Sequence, residues 1–221
     1  MTRILWDWNG TLLDDTEISR GVLNGMLSRR GLPTVSLERY REIFTFPIID
    51  YYRKAGFDFT VEPYEVLAAD YIEKYPIAAR NAGLAAGAAE LLAEIRAAGF
   101  SQTIISAAES NSLRAQVASL GVDCYFEAIC GADDGLGGGK EAVAARWLAE
   151  NSTENERRFY IGDTLHDFET AQILGCTPIL VTLGHQDRAR LETSGAVVVD
   201  SFDALRPIIF AETEKETLHD Q

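Results

Sequence analysis

The chain has 221 residues and carries 20 lysines and arginines against 34 aspartates and glutamates, a formal net charge of −14. At roughly 100–200 residues per domain, that length allows one domain or two. Hydrophobic residues make up 47 % and charged residues 24 %, a globular composition that excludes disorder as the main state. So acidic a chain is repelled by nucleic acid and by anionic membrane surfaces, which excludes both as general partners. The three cysteines, Cys124, Cys130 and Cys176, have neither the number nor the spacing of a disulfide framework or a zinc site. Apolar runs are too short to span a bilayer, and Asp7 interrupts any signal-peptide core, so a cytoplasmic protein is expected.

The first element is the apolar run Ile4-Leu5-Trp6, stopped by Asp7 and the turn residues Asn9-Gly10. That is the pattern of a buried strand ending at a loop. From residue 16 to 79 the apolar residues fall at helical spacing, as in Leu23, Met26 and Leu27 or Val66, Leu67 and Tyr71. Pro33, Pro47, Pro63 and Pro76 should break this stretch into several short helices. After residue 81 strands and helices alternate. Strands are expected at 103–105, 125–130, 159–161, 179–182 and 196–199, and helices at 88–98, 112–120, 140–150, 168–174 and 202–210. Alternation of this kind predicts an α/β fold with a parallel sheet covered on both faces. The helical stretch is then an insertion (15–81) into a core made of 1–14 and 82–221, and the polar end from 211 is expected to fray.

Open parallel sheets bind ligands beyond the carboxyl ends of their strands. The polar residues expected there are Asp7, Ser106 and Asp163, with Asp167 just inside the next helix. Lys140 opens a helix after the glycine-rich loop 135–139. Clustered carboxylates repel one another unless a cation neutralises them, and an all-oxygen set suits Mg²⁺.

The segments Asp7-Trp8-Asn9-Gly10-Thr11-Leu12, Ser106, Lys140 and Gly162-Asp163-Thr164-Leu165-His166-Asp167 resemble, in order, the four motifs of the haloacid dehalogenase-like hydrolase superfamily. The position of the insertion is similar to the helical cap of its phosphoglycolate-phosphatase-like members. The resemblance implies a Rossmann-like core with an α-helical cap and a Mg²⁺-dependent phosphatase of a small phosphorylated metabolite, monomeric or homodimeric. It implies Asp7 as the nucleophile that forms an aspartyl-phosphate. It implies Asp7, Asp163 and the backbone carbonyl of Asn9 as metal ligands, with Asp167 supporting the site through a water or a hydrogen bond. Ser106, Ala107, Gly10, Thr11 and Lys140 would bind the phosphate.

One position departs from that pattern. Family phosphatases carry a second aspartate two residues after the nucleophile, as general acid and then base, and here it is Asn9. An amide cannot shuttle a proton at neutral pH, and general acid–base catalysis is worth about 10²–10⁴-fold. The substrate could have a good leaving group such as an acyl phosphate. Asp14, Asp15 or a cap residue could substitute for the acid. The chain could also be a slow phosphate-ester-binding pseudo-enzyme. A further alternative is a phosphonoacetaldehyde-hydrolase-like C–P hydrolase using a cap lysine, for which only Lys54 and Lys74 are available.

His166, His185 and His219 receive no role, and Asp133 and Asp134 are taken as solvated loop acids. Trp6 is expected in the core and Trp8 towards the cap. The insertion holds nine bases and ten acids, so almost all the negative charge sits on the core. The base pairs Arg29-Arg30, Arg39-Arg41 and Arg53-Lys54 are candidates for recruiting an anion.

Overall fold

The computed structural model describes residues 1–132, 139–151 and 156–211. Asp133, Asp134, the loop glycines 135–138, His219 and the tail from 212 lie outside the described residues. Strands β1 (Thr2–Trp6), β2 (Ser101–Glu109), β3 (Ala128–Ala132), β4 (Arg157–Gly162), β5 (Thr177–Val181) and β6 (Val197–Val199) form one parallel sheet in the order β3-β2-β1-β4-β5-β6. The chain leaves β1 for β2 on one side and later places β4 on the other. This switch of direction opens a crevice at the carboxyl end of β1.

The strands read as near-continuous apolar runs because both faces of the sheet are covered. Ile4 and Trp6 point to one face, where they pack with Ile104, Ile161, α5 (Ala88–Ala97), α6 (Ser110–Ser119) and α10 (Phe202–Phe210). Leu5 points to the other, with Ile105, Tyr160, α7 (Lys140–Glu150) and α8 (Leu165–Ile173). Trp6 and Trp8 belong to the first face. Trp6 donates to Gln102 at 3.1 Å, and Trp8 is fully buried and donates to Gln116 of α6 at 2.8 Å. The expectation that Trp8 faces the cap is corrected: its indole N–H finds its acceptor in the core.

The residues between β1 and α5 form α1 (Thr16–Arg29), α2 (Leu37–Ile43), α3 (Ile48–Ala55) and α4 (Tyr64–Ala78). These helices close over an apolar cluster of their own, including Leu23, Met26, Leu27, Tyr40, Tyr51, Tyr52 and Leu67. Pro47 and Pro63 stand at helix starts, as a breaker should, but α4 runs two residues past Pro76. A proline that late forfeits only one bond of a final turn, so it did not end the helix.

Other boundaries moved for local reasons. α8 begins at Leu165 because Thr164 and Asp167 form a reciprocal capping box. β3 starts at Ala128 because Asp123–Tyr125 is a 3₁₀ turn. The short helix α9 (Arg188–Glu192), capped by Asp187, has a single buried apolar residue, Leu191, and so left no periodic signal. β2 continues past Ser106 to Glu109, but its register with β3 shifts between Ile105 and Glu109, so regular pairing does end where Ser106 begins.

The bases of the insertion hold the structure together. Arg41 donates to the carbonyls of Leu183 (3.0 Å) and Gly184 (2.9 Å) in the loop after β5, and Gln186 and Arg190 of the core donate to the carbonyl of Phe44. Arg39 pairs with Glu42 and Arg53 with Asp50. Arg29, Arg30 and Lys74 all converge on Asp70, and Arg30 also binds Glu62. Arg29, Arg30, Arg39, Arg41 and Arg53, the bases expected to recruit an anion, thus each have a partner within the protein. Partial burial works against ionised Asp70, yet hydrogen bonds from Lys74, Arg29 and Arg30 outweigh it and hold the carboxyl well below the usual range. That stabilisation is complete above the unfolded value of about 3.9 and is lost as pH falls through the folded one. Asp70→Asn should lower stability by about 1 kcal/mol at neutral pH, and the deficit should shrink in denaturant titrations carried towards pH 2.

Among the described residues no helix is long and apolar enough to cross a membrane.

Candidate active site

Asp7 is the first residue after β1, and its N–H still donates to the Ile161 carbonyl of β4 at 2.8 Å. This places it at the crevice between the two central strands. Asp163 follows β4 directly. Lys140 is the first residue of α7 and Asp167 lies in the first turn of α8, so both reach the same edge from one face of the sheet. Lys140 Nζ stands 2.6 Å from Asp7 Oδ1 and 2.5 Å from Asp167 Oδ1. Asp7, Asp163 and Asp167 each offer an oxygen within 4.8 Å of the others. Asp7 and Lys140 are 5 % exposed and the other two acids are fully buried.

Each acid has a different set of supports. Asp163 accepts from Thr11 Oγ1 at 3.0 Å and from the His185 N–H at 2.6 Å. Asp167 Oδ2 accepts from the N–H groups of Asp163 and Thr164 and from the Thr164 hydroxyl. Its other oxygen takes the Lys140 ammonium. The approach is close enough to require glycine behind it: a Cβ on Gly162 would lie 2.2 Å from Asp167 Cγ, and one on Gly184 would lie 2.0 Å from Asp163 Oδ2. Gly162→Ala should therefore displace the Asp167 carboxyl and lower the melting temperature by several degrees, whereas Gly83→Ala, with open space around it, should not.

The electrostatics separate the four groups. Burial pushes the Asp7 carboxyl up to about 8; Lys140 opposes this, and Asp167 and Asp163 add to it. Burial, with Asp167 beside it, likewise raises Asp163 to about 8. Asp167 feels the same burial, but Lys140 and Thr164 outweigh it and its pKa is lowered. Burial disfavours the Lys140 charge, yet Asp167 and Asp7 raise its pKa well above the usual value. One ammonium is thus shared by three carboxylates, and two of them resist ionisation at neutral pH without more positive charge. A dense, buried, all-oxygen set with a deficit of positive charge fits a hard divalent cation.

Of the remaining predicted residues, Gly10 and Thr11 adjoin Asp163. Ser106 is buried at the end of the regular part of β2, and its hydroxyl accepts from the Ala108 N–H at 3.2 Å. Ala107 beside it is exposed. Gly10 and Thr11 use their N–H groups inside the loop: Gly10 donates to Leu13 O and to Asp15 Oδ1, and Thr11 to Trp8 O. The Thr11 side chain supports Asp163.

Asn9 Nδ2 donates to Asp15 Oδ2 at 3.0 Å and to the Tyr75 hydroxyl of α4 at 2.6 Å. Tyr75 in turn donates to Asp15. His185, which had no assigned role, is buried, with Nδ1 2.9 Å from the Tyr40 hydroxyl, Nε2 3.7 Å from Asp15 Oδ1, and its ring stacked on Phe44. Burial lowers its pKa. His166 stacks on Phe46 with centroids 4.5 Å apart. Tyr75, His185 and the support by Thr11 were missed. His185 could have been found by applying the strand-end rule to the loop after β5; Tyr75 left no local signal, because α4 brings it from 66 residues away.

Comparison with known proteins agrees with this arrangement. Residues 4–181 match the model of the haloacid dehalogenase-like hydrolase family. The chain is 28 % identical over 201 residues to the tyrosine-protein kinase PtkA of Mycobacterium tuberculosis, covering 89 % of this chain and 67 % of that one. It is 27 % identical over 210 residues to the phosphoglycolate phosphatase of Caulobacter vibrioides, covering 90 % and 86 %. A solved structure of a predicted phosphatase from Clostridium acetobutylicum shares the fold with a TM-score of 0.75 at 22 % identity, over 95 % of this chain and 98 % of that one. With its sheet order, its four strand-edge residues and a family match spanning most of its length, this chain belongs to the haloacid dehalogenase-like hydrolase family.

Proposed function

We propose that the protein is a Mg²⁺-dependent phosphatase of a small phosphorylated metabolite that works through an aspartyl-phosphate on Asp7. The observation that carries this reading is the buried set of Asp7, Asp163 and Asp167 around one shared lysine at the carboxyl end of β1. Asp7, Asp163 and the Asn9 carbonyl would hold the metal. Asp167 would act indirectly, since both its oxygens already serve Lys140 and the capping box. Bound Mg²⁺ would supply the positive charge that lets a carboxylate approach a phosphate dianion. The chain's own residues do the rest. Lys140 opposes protonation of Asp7 and would bind a phosphate oxygen, Ser106 and the adjacent exposed Ala107 would orient the phosphate, and β1 and β4 fix the line of attack. The helical insertion (15–81) serves as the cap that excludes water and selects the substrate. A soluble cytoplasmic enzyme without nucleic-acid or membrane partners, monomeric or homodimeric, accords with this reading.

The test is a panel of phosphate monoesters assayed with and without Mg²⁺. Hydrolysis that requires the metal is the expected result; hydrolysis unaffected by exhaustive chelation contradicts the proposal. Asn9 favours a second reading, a pseudo-enzyme that binds phosphate esters without turnover. On that reading the panel shows binding alone. The match to a chain named a tyrosine-protein kinase raises phosphoryl transfer to tyrosine as another outcome, which ATP with a tyrosine peptide would reveal. Of the two lysines available to the C–P hydrolase reading, Lys74 is held by Asp70 inside the insertion and Lys54 is exposed.

A further inference from the structure

Resting on the phosphatase reading, the chemistry around Asn9 narrows the substrate. A phosphate monoester whose leaving group is an alkoxide needs a proton as the P–O bond breaks, because such a group is nearly as basic as hydroxide, whose conjugate acid is water at about 15.7. In the phosphatases that the motif resembles, the residue two after the nucleophile gives that proton, and here that residue is the amide Asn9. The polar groups around Asn9, namely Asp15, Tyr75 and His185, already have partners. Asp15 is 1 % exposed and accepts from four donors: Asn9 Nδ2, the Gly10 N–H, Ser19 Oγ and the Tyr75 hydroxyl. Tyr75 has one proton and directs it to Asp15. His185 has Nδ1 against Tyr40 and Nε2 facing Asp15. Asp14 is exposed to solvent, unlike the buried Asp15 that meets Asn9.

The Asn9 amide is not idle. It joins the loop after β1 to α4 of the insertion, through Tyr75, and to Asp15 at the start of α1. An aspartate at position 9 would set two carboxylates against each other at a distance where the amide now donates at 3.0 Å. The site has a tie between cap and core where a proton donor would otherwise stand.

From this we infer that the enzyme acts on phosphate donors whose leaving group departs without a proton, namely aryl and acyl phosphates. In the first step an Asp7 carboxylate oxygen bonds to phosphorus while the bond from phosphorus to the leaving oxygen breaks. The electron pair leaves with that oxygen as phenolate or carboxylate, and no proton moves. In the second step water bonds to phosphorus, the Asp7 oxygen–phosphorus bond breaks to return the carboxylate, and the water proton passes to solvent. Phosphoglycolate, whose leaving group is an alkoxide, is on this basis a poor substrate here, whatever the names of the relatives.

The experiment measures kcat/KM for phenyl phosphate, p-nitrophenyl phosphate, acetyl phosphate, glycerol phosphate and phosphoglycolate with Mg²⁺, for the wild type and for Asn9→Asp. In the wild type, aryl or acyl phosphates should exceed both alkyl phosphates by at least about 10²-fold, the lower bound of what a general acid contributes. The aryl and acyl arms show which of the two the pocket accepts. Asn9→Asp should narrow that gap. Alkyl and aryl rates within about threefold of each other in the wild type overturn the inference while leaving the phosphatase reading standing. A folded Asn9→Asp protein with an unchanged gap does the same. Loss of hydrolysis with every donor overturns the phosphatase reading and this inference together. Should Asn9→Asp fail to fold, the wild-type series decides alone.

Discussion

Asp7→Asn is expected to lower hydrolysis of every phosphate donor by at least about 10⁴-fold and, in the metal-free protein, to raise the melting temperature. The first effect follows from the loss of the nucleophile: an amide of the same shape keeps the packing but cannot attack phosphorus, and removing a covalent nucleophile is among the most costly changes an enzyme can suffer. The second effect follows from the local field. Burial and two neighbouring acids raise the folded pKa of Asp7 to about 8, whereas the unfolded chain ionises it near 4. Between those values the folded state holds more protons than the unfolded state, so stability falls as pH rises through the window. Asp163 acts in the same direction over the same window. Asp167 is lowered and Lys140 raised, so their contributions are constant there. The metal-free wild type should thus be less stable at pH 8 than at pH 6, and Mg²⁺ should reverse the trend. In Asp7→Asn both the pH slope and the Mg²⁺ effect should be reduced. Thermal melts at several pH values, with and without Mg²⁺, read all of this without an activity assay.

Lys140→Met carries the second large effect. The ammonium touches Asp7 and Asp167 at 2.6 and 2.5 Å, and all three groups are buried. Removing one partner of a buried ion pair costs about 3–5 kcal/mol, because a charge is left unpaired in a poor solvent. Here three carboxylates would lose the one described cation among them. The fold should weaken by about that amount, and part of the loss should return with saturating Mg²⁺, since a ligand at 100 times its Kd adds about 2.7 kcal/mol. Combining Lys140→Met with Asp7→Asn should destabilise less than Lys140→Met alone, the pattern of directly coupled residues. Chemical denaturation of the four proteins forms the cycle. Strict additivity would show that Lys140 does not act on Asp7.

Much of this site could be anticipated because strand ends are local features. Asp7 and Asp163 follow apolar runs, and Lys140 opens a helix whose pattern is plain; no long-range information is needed to place them at one edge of a parallel sheet. The capping box that holds Asp167 is also local, four residues within Gly162–Asp167 being enough to write it. What stayed hidden is the part made by distant chain segments meeting. The engagement of Asn9 depends on Tyr75 arriving on a helix of the insertion, and that of Asp15 on His185 arriving from beyond β5. Arginines that look free as neighbours in sequence, such as Arg29 and Arg30, meet Asp70 some forty residues later. Trp8 was misplaced for the same reason: only the packed structure shows that Gln116 waits for its N–H.

The most direct test of the account is acid quenching of the enzyme during turnover of acetyl phosphate or p-nitrophenyl phosphate with Mg²⁺, followed by peptide mass spectrometry. The expected result is a phosphoryl group on Asp7, absent from Asp7→Asn and from the metal-free enzyme. Sustained, Mg²⁺-dependent hydrolysis with Asp7 unmodified, or undiminished in Asp7→Asn, would contradict it.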